Sequence, residues 1–130
     1  MKAIDPELPN VSTQSGFFNW GPIDVPDDQM QDVRTVNWAK AELGKTHNKP
    51  FFLACGFYRP HLPWYVPKKY FDRYPLDEIV VPELIEGDLD DIPPLGQEVS
   101  NGVGSFADKV IAAGKHKEAV QAYLATTTYV

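Results

Sequence analysis

Apolar positions along this chain fall into helical and strand-like patterns. From about Asp27 to Leu43 the spacing is helical. Val33, Val36, Ala39 and Leu43 mark one face, joined by the alkyl stem of Lys40. Asp27 or Asp28 suits the N-terminal cap and its positive end, and Gly44 stands just past the C-terminus. Residues 51–56, Phe-Phe-Leu-Ala-Cys-Gly, form an unbroken apolar run of strand length. Such runs are typical of parallel strands buried on both faces. Helical spacing returns twice near the end, first with Phe106, Val110 and Ala113, then with Val120, Tyr123, Leu124 and Thr127. Gly114 separates the two helices, and both need something to pack on.

The remaining segments connect these elements. Residues 1–25 read as irregular, punctuated by Pro6, Pro9, Gly16, Gly21 and Pro22, with Phe17, Phe18 and Trp20 pinning the loop to a core. His47-Asn48-Lys49-Pro50 reads as a turn into the strand. Residues 67–74 predict a short helix opened by Pro67 and stopped by Pro75. Val80-Val81-Pro82 predicts a brief extended segment, and residues 83–97 predict an acidic, proline-rich surface loop. The helix–loop–strand order fits one unit of an α/β sheet.

Length and composition narrow the functional classes. A chain of 130 residues is read as one domain, and its hydrophobic content of 43% is ordinary for a globular protein. A net charge of −6 argues against nucleic acid as a partner, because phosphate neutralisation needs clustered Lys and Arg. Lys68 and Lys69 are the one adjacent basic pair, either a solvated loop edge or an anion contact. No apolar run approaches the length of a membrane-spanning helix, so no membrane partner is expected. The N-terminus lacks the apolar core of a secretory signal. A single cysteine, Cys55, excludes an internal disulfide.

Candidate chemistry gathers just after the apolar run, in Tyr58-Arg59-Pro60-His61-Leu62-Pro63-Trp64. Ligands of parallel sheets sit outside the carboxyl ends of the strands. Pro60 and Pro63 restrict the backbone on both sides of His61. Its imidazole either contacts an anionic substrate or is a buried, satisfied loop histidine. Arg59 suits bidentate anion recognition, or else it pairs with a local carboxylate such as Asp72 or Asp77. Tyr58, Trp64 and Tyr65 offer faces for a sugar ring, or pack the loop. Cys55 lies within the apolar run and reads as a small hydrophobe. His47 and His116 have no metal-ligand spacing to each other or to His61, and both read as solvated. Asp88, Asp90 and Asp91 lack the central glycine and terminal glutamate of a calcium-binding helix–loop–helix, and a solvated loop is expected there.

Pro50 to Pro63, continued by Pro67-Lys68-Lys69-Tyr70-Phe71, resembles a stretch of the type I sulfatases, especially the iduronate-2-sulfatase-like branch. Flanking matches are Phe17-Phe18-Asn19-Trp20-Gly21-Pro22, Tyr74-Pro75-Leu76, Asp90-Asp91-Ile92-Pro93-Pro94 and Ala122-Tyr123-Leu124-Ala125. The resemblance implies an alkaline-phosphatase-like α/β fold, of which residues 1–130 would be an internal portion of the catalytic domain. The helical pattern still running at Val130 agrees with that expectation. It further implies hydrolysis of a sulfate ester, on a sulfated carbohydrate, by a periplasmic, secreted or lysosomal enzyme. His61 would be the catalytic-site histidine that contacts sulfate, and Arg59, Tyr58 and Trp64 would contact substrate. The family's Ca2+ and its formylglycine nucleophile would be carried outside these residues. Cys55 keeps only the cysteine-to-arginine spacing of the Cys-x-Pro-Ser-Arg type motif, with Phe57 and Tyr58 in place of proline and serine. A phosphodiesterase or phosphatase of the same superfamily, or a stand-alone carbohydrate-binding domain, remains an alternative.

Overall fold

The computed structural model describes residues 19–101 and 106–130, together with the side chains of those residues except 100, 101 and 106. Two strands, β1 (Trp20–Ile23) and β2 (Trp64–Pro67), pair in parallel with Trp20 opposite Trp64 and Ile23 opposite Pro67. Parallel strands require a crossover connection. Here it contains α1 (Gln31–Leu43), and the helices α2 (Lys68–Phe71), α3 (Pro94–Asn101), α4 (Phe106–Ala112) and α5 (His116–Tyr129) follow β2. Asp27–Gln29 and Leu76–Glu78 each form a single 3-10 turn. Helices with a small parallel sheet agree with the expected α/β class.

The strand sits elsewhere than the pattern predicted. Residues 51–56 are in no strand, and Phe52 is 92% exposed. An apolar run becomes a strand only when another strand accepts its hydrogen bonds, and none does so among the described residues. β2 forms eight residues beyond the end of that run and pairs with Trp20–Ile23, a segment expected to be irregular. Pro22, which lacks an N–H, is accommodated because a two-stranded sheet consists only of edges. The expected irregularity of residues 1–18, and the packing of Phe17 and Phe18, lie outside the described residues.

Helix positions follow the sequence more closely. α1 begins at Gln31, four residues beyond the first expected cap, because Asp27 and Asp28 go into the 3-10 turn. The helix expected over residues 67–74 narrows to four residues with Pro67 as its N-cap. Residues from Pro94 onward leave the expected surface loop and enter α3, with proline at the first helical position. Gly114 closes α4 in the left-handed region at φ 67°. Its N–H reaches Ile111 O at 2.8 Å and that of Lys115 reaches Val110 O at 2.9 Å, the paired bonds that end a helix at glycine.

The core lies between the strand pair and α5. Trp20 and Ile23 of β1, Val66 of β2, Met30, Phe71 and Val110 are buried together with Ala119, Ala122 and Ala125. The buried face of α5 is therefore a row of small residues completed by Thr126, not the expected stripe of Val120, Tyr123, Leu124 and Thr127. Tyr123 is 47% exposed. Small side chains let the helix approach the strands closely, and the larger ones turn to its flank. The Thr126 hydroxyl donates to Ala122 O at 2.6 Å, so its burial leaves no polar group unmet. Among the described residues no helix is long and apolar enough to cross a membrane.

The candidate active-site loop

The segment from Tyr58 to Tyr65 leads into β2 and is held at several points. Asp32, in the first turn of α1, is buried, and its carboxylate accepts the backbone N–H of Tyr58 at 2.8 Å and of Arg59 at 3.2 Å. The N–H of His61 donates back to Tyr58 O at 3.0 Å, closing a turn. The Trp64 indole N–H donates to Pro60 O at 2.8 Å. The peptide bonds Arg59–Pro60 and Leu62–Pro63 are both cis.

His61 is exposed, so the alternative of a buried loop histidine does not describe it. Its Nδ1 lies 2.7 Å from Leu62 O, which also accepts the Tyr58 hydroxyl at 2.6 Å. A carbonyl oxygen only accepts, so Nδ1 carries a hydrogen. Nε2 is then an acceptor on the neutral ring and a second donor on the protonated ring. The Tyr58 ring supports the imidazole, with centroids 5.0 Å apart.

Arg59 is half-buried. Its Nε and Nη2 both donate to Tyr65 O at 3.2 Å, and its guanidinium carbon lies 5.2 Å from the centre of the Tyr58 ring. Asp72, one of its expected partners, pairs with Lys68 instead. Arg59, Tyr58 and Asp32 line an open cleft of about 390 Å³, closed on its other sides by Met30, Gln31, Pro63 and Tyr65. Burial raises the Tyr65 phenol above its ordinary pKa, which keeps that wall of the cleft neutral.

Trp64 stands apart from this cleft. Its ring packs against Trp20 at 6.4 Å and edge-on to Tyr123 at 5.6 Å. It lines a separate apolar groove of about 580 Å³ with Val80, Val110, Tyr123 and Leu124. Tyr58, Arg59 and His61 are thus brought together, while Trp64 braces the loop from the side of α5.

Other sequence candidates are placed as follows. Cys55 is exposed in an irregular segment, which corrects its expected burial as a small hydrophobe within a strand. His47 is exposed, with Nε2 at 2.9 Å from Glu42 O and its ring against Phe51. His116 is half-buried at the start of α5, not fully solvated as expected. Asp88, Asp90 and Asp91 lie exposed in the loop before α3. Lys68 and Lys69 each hold a carboxylate, Asp72 and Asp27 respectively. Among the described residues no three His, Cys, Asp or Glu side chains converge as a metal site.

Asp32 is the residue to which patterning assigned no role. A signal was present: Asp32, Val36, Ala39 and Leu43 share a helical phase, so an acid stands in register with an apolar stripe. Such an acid needs buried donors, and the loop amides supply them.

The chain is similar in sequence to several proteins named as sulfatases. A "Sulfatase" of Formosa agariphila is 42% identical over 113 residues, covering 86% of this chain and 22% of that protein. The human "Iduronate 2-sulfatase" is 36% identical over 78 residues, covering 56% of this chain and 14% of that protein. An "Arylsulfatase" of Clostridium perfringens is 34% identical over 108 residues, covering 77% of this chain and 21% of that protein. The chain belongs to the sulfatase family. It spans at most 22% of the length of these relatives. No family model matches it, and no solved structure does.

Proposed function

We propose that these residues are part of a sulfuric ester hydrolase with an alkaline-phosphatase-like fold, acting on a sulfated carbohydrate, and that His61 contacts the sulfate. The observation that supports this most is the state of the His61 ring. It is exposed, bracketed by two prolines, and has Nδ1 committed to Leu62 O, so Nε2 is the atom available to substrate. When protonated, the ring holds its second proton at Nε2. It can donate that proton to a sulfate oxygen or to the bridging oxygen as the alcohol departs. Arg59, whose Nη1 has no hydrogen-bond partner among the described residues, adds positive charge on the same loop. Tyr58 completes the proposed substrate contacts on this face; a contact from Trp64 would be made from the separate groove on the side of α5.

A sugar substrate is favoured by the relatives named for iduronate 2-sulfate. The family's formylglycine and Ca2+ would be carried by other parts of the enzyme. A periplasmic, secreted or lysosomal setting would follow from the same reading. By themselves the 130 residues are expected to show no turnover.

The test is His61→Ala in the full-length enzyme. Its kcat for a sulfate ester should fall by at least about a hundredfold, the scale of a positioned acid or charge stabiliser. Unchanged kinetics on the natural substrate would remove His61 from the reaction.

A further inference from the structure

We propose that Asp32 is a positioning residue for the loop that carries Arg59 and His61. This rests on the reading of His61 as the sulfate-contacting side chain. Asp32 is 7% exposed, and nothing in the proposed chemistry uses its carboxylate directly. Its two oxygens take separate, consecutive amides: Oδ1 accepts from Tyr58 N at 2.8 Å and Oδ2 from Arg59 N at 3.2 Å. Bonds from backbone N–H to a carboxylate are charge-assisted and directional. They join the loop to the first turn of α1 across 26 and 27 positions of sequence. The positive end of α1 holds the charge in place.

The clamp acts where the loop's remaining geometry begins. Tyr58, whose N–H is held, offers its carbonyl to His61 N and its hydroxyl to Leu62 O. Leu62 O in turn fixes Nδ1 of His61. A chain of bonds therefore runs from Asp32 through Tyr58 to the ring hydrogen of His61. Releasing Tyr58 removes the first link, and the ring loses the constraint that keeps Nε2 as the free nitrogen. Asparagine would be a poor substitute, since its oxygen could accept one amide while its NH2 group faced the other donor.

The experiment is nuclear magnetic resonance on the full-length enzyme, segmentally labelled with 15N over these 130 residues, whose three histidines are separable by substitution. In the wild-type chain the Tyr58 and Arg59 amides should exchange with solvent at least about tenfold more slowly than that of exposed Phe57. His61 should show one tautomer, with hydrogen on Nδ1. In Asp32→Asn that protection should be lost and His61 should populate both tautomers, while the amides of Ala122 and Ala125 keep their protection. Wild-type amides of Tyr58 and Arg59 that exchange as fast as Phe57 overturn the proposal without needing any variant to fold. So does an unchanged His61 tautomer in folded Asp32→Asn. The catalytic reading fails separately: His61→Ala without effect on hydrolysis of p-nitrophenyl sulfate by the full-length enzyme would dismiss it and leave the clamp intact.

Discussion

Replacing Ala122 by leucine tests the claim that α5 is seated by the smallness of its buried face. Ala122 and Ala125 are both fully buried, Ala119 nearly so, and Thr126 extends the same face. Leucine adds three carbons. With free space available, burying them would be worth about 2.4 kcal/mol at about 0.8 kcal/mol for each CH2. At a position with no exposed surface, in the same buried core as Trp20, Val66 and Phe71, they have to displace α5 or force side chains out of their rotamers. Overpacking of this kind costs typically about 1–3 kcal/mol net. The assay is urea unfolding followed by circular dichroism. With a slope of about 2 kcal/mol per molar for a small domain, a loss of about 2 kcal/mol lowers the midpoint by about 1 M. Thr127→Leu is the control: it places the same leucine side chain five residues along, on the exposed side of α5, and should change stability by less than about 0.5 kcal/mol. A midpoint for Ala122→Leu that is unchanged or raised, at the same slope, would refute the reasoning.

Two further outcomes are expected. Gly114→Ala should cost about 1 kcal/mol, because φ is 67° and an added Cβ meets no other atom within 4 Å, so the whole penalty is conformational. Equal midpoints for the two chains would contradict it. Stability should also fall as pH rises through the tyrosine range. Burial raises the phenols of Tyr65, Tyr70 and Tyr129, and Asp27 and Asp32 add to the effect at Tyr70 and Tyr129. Around pH 10 the unfolded chain gives up these protons before the folded one does, so the native state binds more protons and loses stability as pH increases. Lys69, raised by its bond to Asp27, acts in the same direction. Thermal midpoints measured at about pH 8 and about pH 11 should show the drop, and Tyr129→Phe should make it shallower. A flat profile over that interval would contradict it.

The sequence alone determined what depends on near neighbours. Helical periodicity and proline and glycine punctuation located α1, α4 and α5, the start of α2 and the break at Gly114, because helix hydrogen bonds close within four residues. The bracketing prolines and the apolar lead-in likewise marked Tyr58, Arg59 and His61, and the order of motifs pointed to the sulfatases. Tertiary structure decided whatever needs a distant partner. A strand exists only where another strand takes its hydrogen bonds, so Trp64–Pro67 paired with Trp20–Ile23 while the more apolar residues 51–56 did not pair. Which face of α5 turns inward was set by how closely it can approach those strands, and alanines won over larger apolar side chains. Asp32 shows the same division. Its acid in an apolar phase is visible in the sequence, but the amides that satisfy it come from residues 26 and 27 positions away and meet it only once the crossover has folded.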